Sequence, residues 1–74
     1  MSEASGEIAA RVRDRRRALA LTQQDLADLA GVSERFVRFV EQAKPSIRLD
    51  ALTAVLDALG LDLAVVARRG GGPT

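Results

Sequence analysis

Residues 21–42 read LTQQDLADLAGVSERFVRFVEQ, and the fold turns on this stretch. Thr22 followed by Asp25 is an S/T-x-x-D/E start signal, which makes Thr22 the N-cap of a helix opening at Gln23. Leu26, Ala27, Leu29 and Ala30 form its expected buried side. Gly31 stands where a left-handed residue ends a helix. Only Val32 separates it from Ser33, the N-cap of a second helix running from Glu34 to about Gln42. Such a gap admits a tight turn between two helices and little else. At about 100° per residue, Val37, Val40 and Glu41 share the inner side of the second helix, with Phe36 at its flank. Arg35, Arg38, Phe39 and Gln42 point outward. Ala27 is small enough for the two helices to approach closely, and Val37 and Val40 lock one onto the other.

The flanks extend this pair. Upstream, a helix from about Glu7 to Leu19 puts Ile8, Val12 and Leu19 on one face. The small polar start, residues 1–6, is expected to be flexible. Downstream, Lys44-Pro45-Ser46 reads as a loop. A further helix over about Leu49–Leu59 carries Leu49, Leu52, Leu56 and Leu59 at a/d-like spacing and stops at Gly60. The stretch LDLAVVARR then alternates, with Leu61, Leu63 and Val65 on one side and Asp62, Ala64 and Val66 on the other. Period two predicts a strand of about six residues, Leu61–Val66, within segment 61–68. Residues 69–74 contain GGGPT and are expected to be a disordered tail. The expected fold is mainly α: four to five helices, with residues 7–60 as one domain and one short C-terminal β-strand.

Composition narrows what such a domain can do. Seventy-four residues bury little apolar surface, and with no Cys or His there is no disulfide or structural zinc to add stability. Oligomerisation is the remaining common source of buried area. The absence of Cys, His, Tyr and Trp also removes the usual nucleophile–base pairs, so no enzyme, metal or cofactor is expected. No apolar run reaches membrane-spanning length and no signal-peptide core opens the chain, so a cytoplasmic location is expected. The net charge of +1 conceals two basic blocks. Residues 11–17, RVRDRRR, hold five Arg against one Asp; residues 33–48 hold Arg35, Arg38, Lys44 and Arg48 against Glu34 and Glu41. Basic blocks point to a polyanion partner, although an Arg-rich solvated helix face has the same composition. A helix pair of this kind presents its second helix outward, where it fits the major groove of duplex DNA.

Arg13 and Arg16, the run LTQQDLADLAGVS and the Val-x-x-Val-Glu step at 37–41 together resemble the XRE, or Cro/cI-type, helix-turn-helix family over about residues 7–60. The segment AKPSIRLDALTAVLDALGLDLAV is similar to HipB-like antitoxins, in which a strand follows the last helix. The resemblance implies a lambda-repressor-like fold and sequence-specific, double-stranded DNA binding by a transcriptional repressor. The HipB likeness implies an autoregulating antitoxin of a type II toxin–antitoxin module with a kinase-like toxin partner. Alternatives are a stand-alone or phage-type regulator, or a protein-interaction module on the same fold. Family members usually carry Gly where this chain has Ala20 and Ala43, and more often a polar residue in place of Phe39.

Site residues follow from both readings. Arg35 and Arg38 are the expected base readers, since Arg matches guanine O6/N7. Ser33 and Glu34 stand where the family touches bases or phosphates, though Ser33 is sufficiently explained as an N-cap and Glu34 as a partner of the helix dipole. Phe39 packs against thymine methyls, or else is half buried against the last helix or a partner protein. Gln23, Lys44, Ser46 and Arg48 are the expected phosphate contacts. Arg11, Arg13, Arg15 and Arg17 read as a mixed solvated face with some phosphate steering. By the resemblance, Arg16 pairs with Glu41 as a structural ion pair. The strand, finally, has no partner in its own chain. Leu61, Leu63, Val65 and Val66 are therefore expected to pair antiparallel across a homodimer, setting two recognition helices roughly 34 Å apart on a palindromic operator.

Overall fold

The computed structural model describes residues 3–67. It contains four helices among those residues: α1 (Glu3–Ala18), α2 (Gln23–Ala30), α3 (Glu34–Glu41) and α4 (Leu49–Ala58). The caps are those the sequence signals. Thr22 and Asp25 form a reciprocal capping box, each hydrogen bond 2.9 Å long. The Ser33 hydroxyl accepts the Phe36 N–H at 3.0 Å. These bonds satisfy N–H groups that an α-helix leaves unpaired in its first turn.

All four helices end in the same way. After α1, the Leu21 N–H donates to the Arg16 carbonyl and the Ala20 N–H to the Arg17 carbonyl. The same pair of bonds recurs at Val32 and Gly31, at Lys44 and Ala43, and at Leu61 and Gly60. This Schellman closure requires a left-handed residue, and Gly31 and Gly60 supply it at φ 72°. Ala20 and Ala43 take the same conformation at φ 59°. A Cβ in that region costs about 1–2 kcal/mol. Glycine relieves the strain but gives back about 0.4–1 kcal/mol through the unfolded chain. Ala20→Gly and Ala43→Gly are each expected to stabilise the domain, by about 0.5–1 kcal/mol, seen as a rise of several degrees in a thermal melt. A fall in Tm for both would show that the left-handed Ala residues are not strained.

One core unites the helices. Val12 from α1, Leu26 and Ala27 from α2, Val37 and Val40 from α3, and Leu52, Val55, Leu56 and Leu59 from α4 and its cap are all buried. Ala27 is fully buried in this core. Three Leu residues expected inside lie outside. Leu19 follows the last residue of α1 and is 42% exposed. Leu29 is 64% exposed, because Leu26, Ala27 and Ala30 share an arc of roughly 100° and Leu29 falls beyond it. Leu49 is 62% exposed at the first position of α4, one turn before the core begins at Leu52.

The ends of the chain also differ from expectation. α1 starts at Glu3 rather than Glu7, so residues 3–6 are helical. Ser5 is buried on this extension, which gives the first turn contacts that a frayed end lacks. At the other end, no strand forms over residues 61–67, and Leu63, Val65 and Val66 are exposed. A strand needs a second strand to complete its ladder, and a single chain offers none. Residue 68 of the expected strand segment and the expected tail, 69–74, lie outside the described residues.

Candidate nucleic-acid interface

The interface is built from behind by one ion pair. The Arg16 guanidinium on α1 grips the Glu41 carboxylate at the end of α3 with two bonds, Nε–Oε2 at 2.7 Å and Nη2–Oε1 at 3.0 Å. Its third nitrogen donates to the Leu21 carbonyl at 2.9 Å, just before α2. The Gln23 amide, in the first turn of α2, donates to Glu41 Oε1 at 3.1 Å. The pair is nearly closed to solvent, with side chains 12% and 6% exposed for Arg16 and Glu41. Burial pushes the Glu41 carboxyl up. The hydrogen bonds from Arg16 and Gln23, with the charges of Arg16 and Arg13, outweigh that effect and hold it below the ordinary carboxylate range. Three helices thereby meet at one carboxylate.

Held this way, α3 turns its other side to solvent. Arg35 is exposed and makes no ion pair or side-chain hydrogen bond among the described residues. Arg38 is also exposed and lies 3.8 Å from Glu34, one turn earlier. That spacing and exposure make a weak pair, of a kind worth about 0.3–0.5 kcal/mol. Phe39 is half-buried. Beyond α3, Lys44, Ser46 and Arg48 are all exposed. A concavity of about 310 Å³ lies between the outer side of α3 and this segment, lined by Ser33, Arg35, Phe36, Phe39, Ser46 and Arg48. It joins three of the expected base contacts, Ser33, Arg35 and Phe39, to two of the expected phosphate contacts, Ser46 and Arg48. Glu34, Arg38, Lys44 and Gln23 are not part of its lining.

Several side chains have partners that their sequence positions did not suggest. Arg48 is bridged to Asp50 at 2.8 Å, a fully solvated pair that holds its guanidinium pKa above the ordinary value. The Arg-x-Asp spacing at the start of α4 was the available signal. Arg15, read as part of a solvated face, instead donates from Nε to the Leu59 carbonyl at 2.9 Å and so caps the end of α4. No local signal marks it within RVRDRRR. Of the five Arg in the first basic block, Arg15 and Arg16 therefore serve the fold. Gln23 is committed to Glu41 through one amide proton and keeps a second for another acceptor.

The tight turn at Gly31, the packing of α2 against α3 and the outward side of α3 define a helix-turn-helix unit. The chain belongs to the helix-turn-helix domain family, whose model matches residues 7–68. Among its relatives is an uncharacterised HTH-type transcriptional regulator, y4mF, of Sinorhizobium fredii. That protein is 36% identical over 61 residues, which cover 82% of this chain and 80% of the relative. No helix among the described residues is long and apolar enough to cross a membrane.

Proposed function

We propose that this protein is a DNA-binding transcription regulator, acting without catalysis as a sequence-specific repressor on a palindromic duplex operator. The observation that carries the reading is the outer side of α3. There a partner-free Arg35 and the exposed Arg38 stand beside an aromatic-lined concavity whose far wall bears Arg48. Arg reads guanine in the major groove, and cations on the following segment suit phosphate. The y4mF relative, a transcriptional regulator by its description, supports the same reading.

The working unit is a homodimer joined through Leu61, Leu63, Val65 and Val66. Support comes from exposure: Val65 is 99% and Val66 81% exposed in the single chain, an unusual state for consecutive β-branched apolar residues. Next to them, a groove of about 340 Å³ runs between α1 and the C-terminal segment, with Ile8, Leu56, Leu61 and Leu63 in its walls. A narrower form of the proposal is an autoregulating antitoxin with a kinase-like protein partner. It rests on the likeness of residues 43–65, and a kinase-like reading frame beside the coding gene tests it.

DNA binding is tested on a duplex recovered by in vitro selection from a random pool, against a scrambled control, at several salt concentrations. Arg35→Ala and Arg38→Ala are expected to lose about 1–3 kcal/mol each on the selected duplex and much less on the control. Lys44→Ala and Arg48→Ala are expected to weaken both duplexes alike and reduce the salt slope by about one unit each. Equal losses on both duplexes for Arg35→Ala and Arg38→Ala would remove these residues as base readers.

A further inference from the structure

We infer that the concavity beside α3 takes the 5-methyl group of a thymine, with Phe39 as the residue that selects it; the inference rests on the DNA-binding reading above. Phe36 and Phe39 are the only two aromatic residues in the chain, and both line this one concavity. Their roles differ. Phe36 packs against the hydrophobic core, whereas Phe39 is not among the residues packed there, although it too is half-buried. Packing against the core therefore accounts for Phe36 and does not account for the Phe39 ring.

A phenyl ring cannot exchange hydrogen bonds with the nitrogen and oxygen edges of base pairs. Of the groups that the four base pairs present in the major groove, the apolar one is the thymine C5-methyl. The charge around the ring selects the same kind of occupant. Arg35 and Arg48 line the concavity, and Ser33 and Ser46 supply hydroxyls. An apolar peptide would leave those two cations facing hydrocarbon, whereas a duplex places phosphates and guanine acceptors beside the methyl. Arg35 stands in the same wall as Phe39, so a thymine seated on the ring brings the neighbouring base pair within reach of its guanidinium. The recognised half-site accordingly contains a thymine next to a guanine.

The test uses the full chain and the duplex recovered by selection. Each thymine of the half-site is replaced in turn by deoxyuridine, which removes the methyl and leaves every hydrogen-bonding group in place. One position is expected to lose about fourfold in affinity, the worth of one buried methyl. Phe39→Ala is expected to bind the thymine and uracil duplexes equally while keeping the guanine preference that Arg35 supplies. The wild-type comparison needs no variant, so a folding defect in Phe39→Ala leaves it intact. Uracil tolerated without loss at every thymine overturns the methyl contact. So does a thymine preference that survives unchanged in a folded Phe39→Ala. A selection that enriches no sequence overturns the DNA-binding reading itself, and the methyl contact with it.

Discussion

Glu41→Ala is expected to lower the stability of this domain by about 3–5 kcal/mol, most of what a chain of this size possesses. The loss has two sources. Arg16, only 12% exposed at its side chain, would keep its charge and lose both carboxylate bonds, and the Gln23 amide would lose its acceptor. Stranding one member of a buried pair costs more than the pair contributes, because the desolvation is no longer compensated. For a domain of this length each kilocalorie moves Tm by about 4–8 °C, so a drop of tens of degrees is expected. The control is the double variant Arg16→Met, Glu41→Met, which removes both charges. Its loss is expected to be well below the sum of the single losses, and additivity would mean that the pair is not coupled. Acid should reproduce part of the effect. The Glu41 pKa is held below the ordinary carboxylate value, so its stabilising contribution is complete above about pH 4.3, the unfolded value. That contribution is lost as the pH falls through the lower, folded value. Asp25 and Asp50, also lowered, add in the same direction. Melts between neutral pH and pH 2 should show a shallower decline for Glu41→Ala than for the parent.

Leu63→Lys with Val65→Lys is expected to give a folded monomer that binds the selected duplex roughly 10²–10⁴-fold more weakly than the parent. Both side chains are exposed in the single chain, 46% and 99%, and neither packs against the core, so the helical fold should survive. The loss comes from connection. In the proposed dimer, two recognition helices joined through a paired strand would bind the second half-site at a high effective concentration, which separate monomers would lack. Sedimentation of the parent at tens of micromolar should show a dimer. A parent that sediments as a monomer, or a double-Lys variant that remains dimeric with unchanged affinity, would place the dimer contact elsewhere.

Much of the architecture is legible in the order of the residues, and particular positions show why. Thr22 with Asp25, Ser33 and Gly31 are local devices, whose hydrogen bonds reach no further than five residues along the chain. Such devices can be read from neighbours alone. The inner positions of α3 follow from helical period, and Val37 and Val40 are fully buried. The Arg16–Glu41 pair spans 25 residues, and family likeness rather than spacing points to it.

Residue order therefore dictates where the helices lie, how α2 and α3 start, and which side of α3 turns inward. Which charges are spent and which are available is settled only when the helices pack. Arg15 meets a carbonyl 44 residues away, and Gln23 meets a carboxylate 18 residues away. The Arg35 side chain meets no hydrogen-bond or ion-pair partner among the described residues. Packing also leaves the apolar side chains of Leu29 and Leu49 exposed to water. The division follows from the range of the interactions. Capping and periodicity act within a turn or two of helix, so the local sequence encodes them. Ion pairing and burial depend on which surfaces come together, and only the assembled core fixes those.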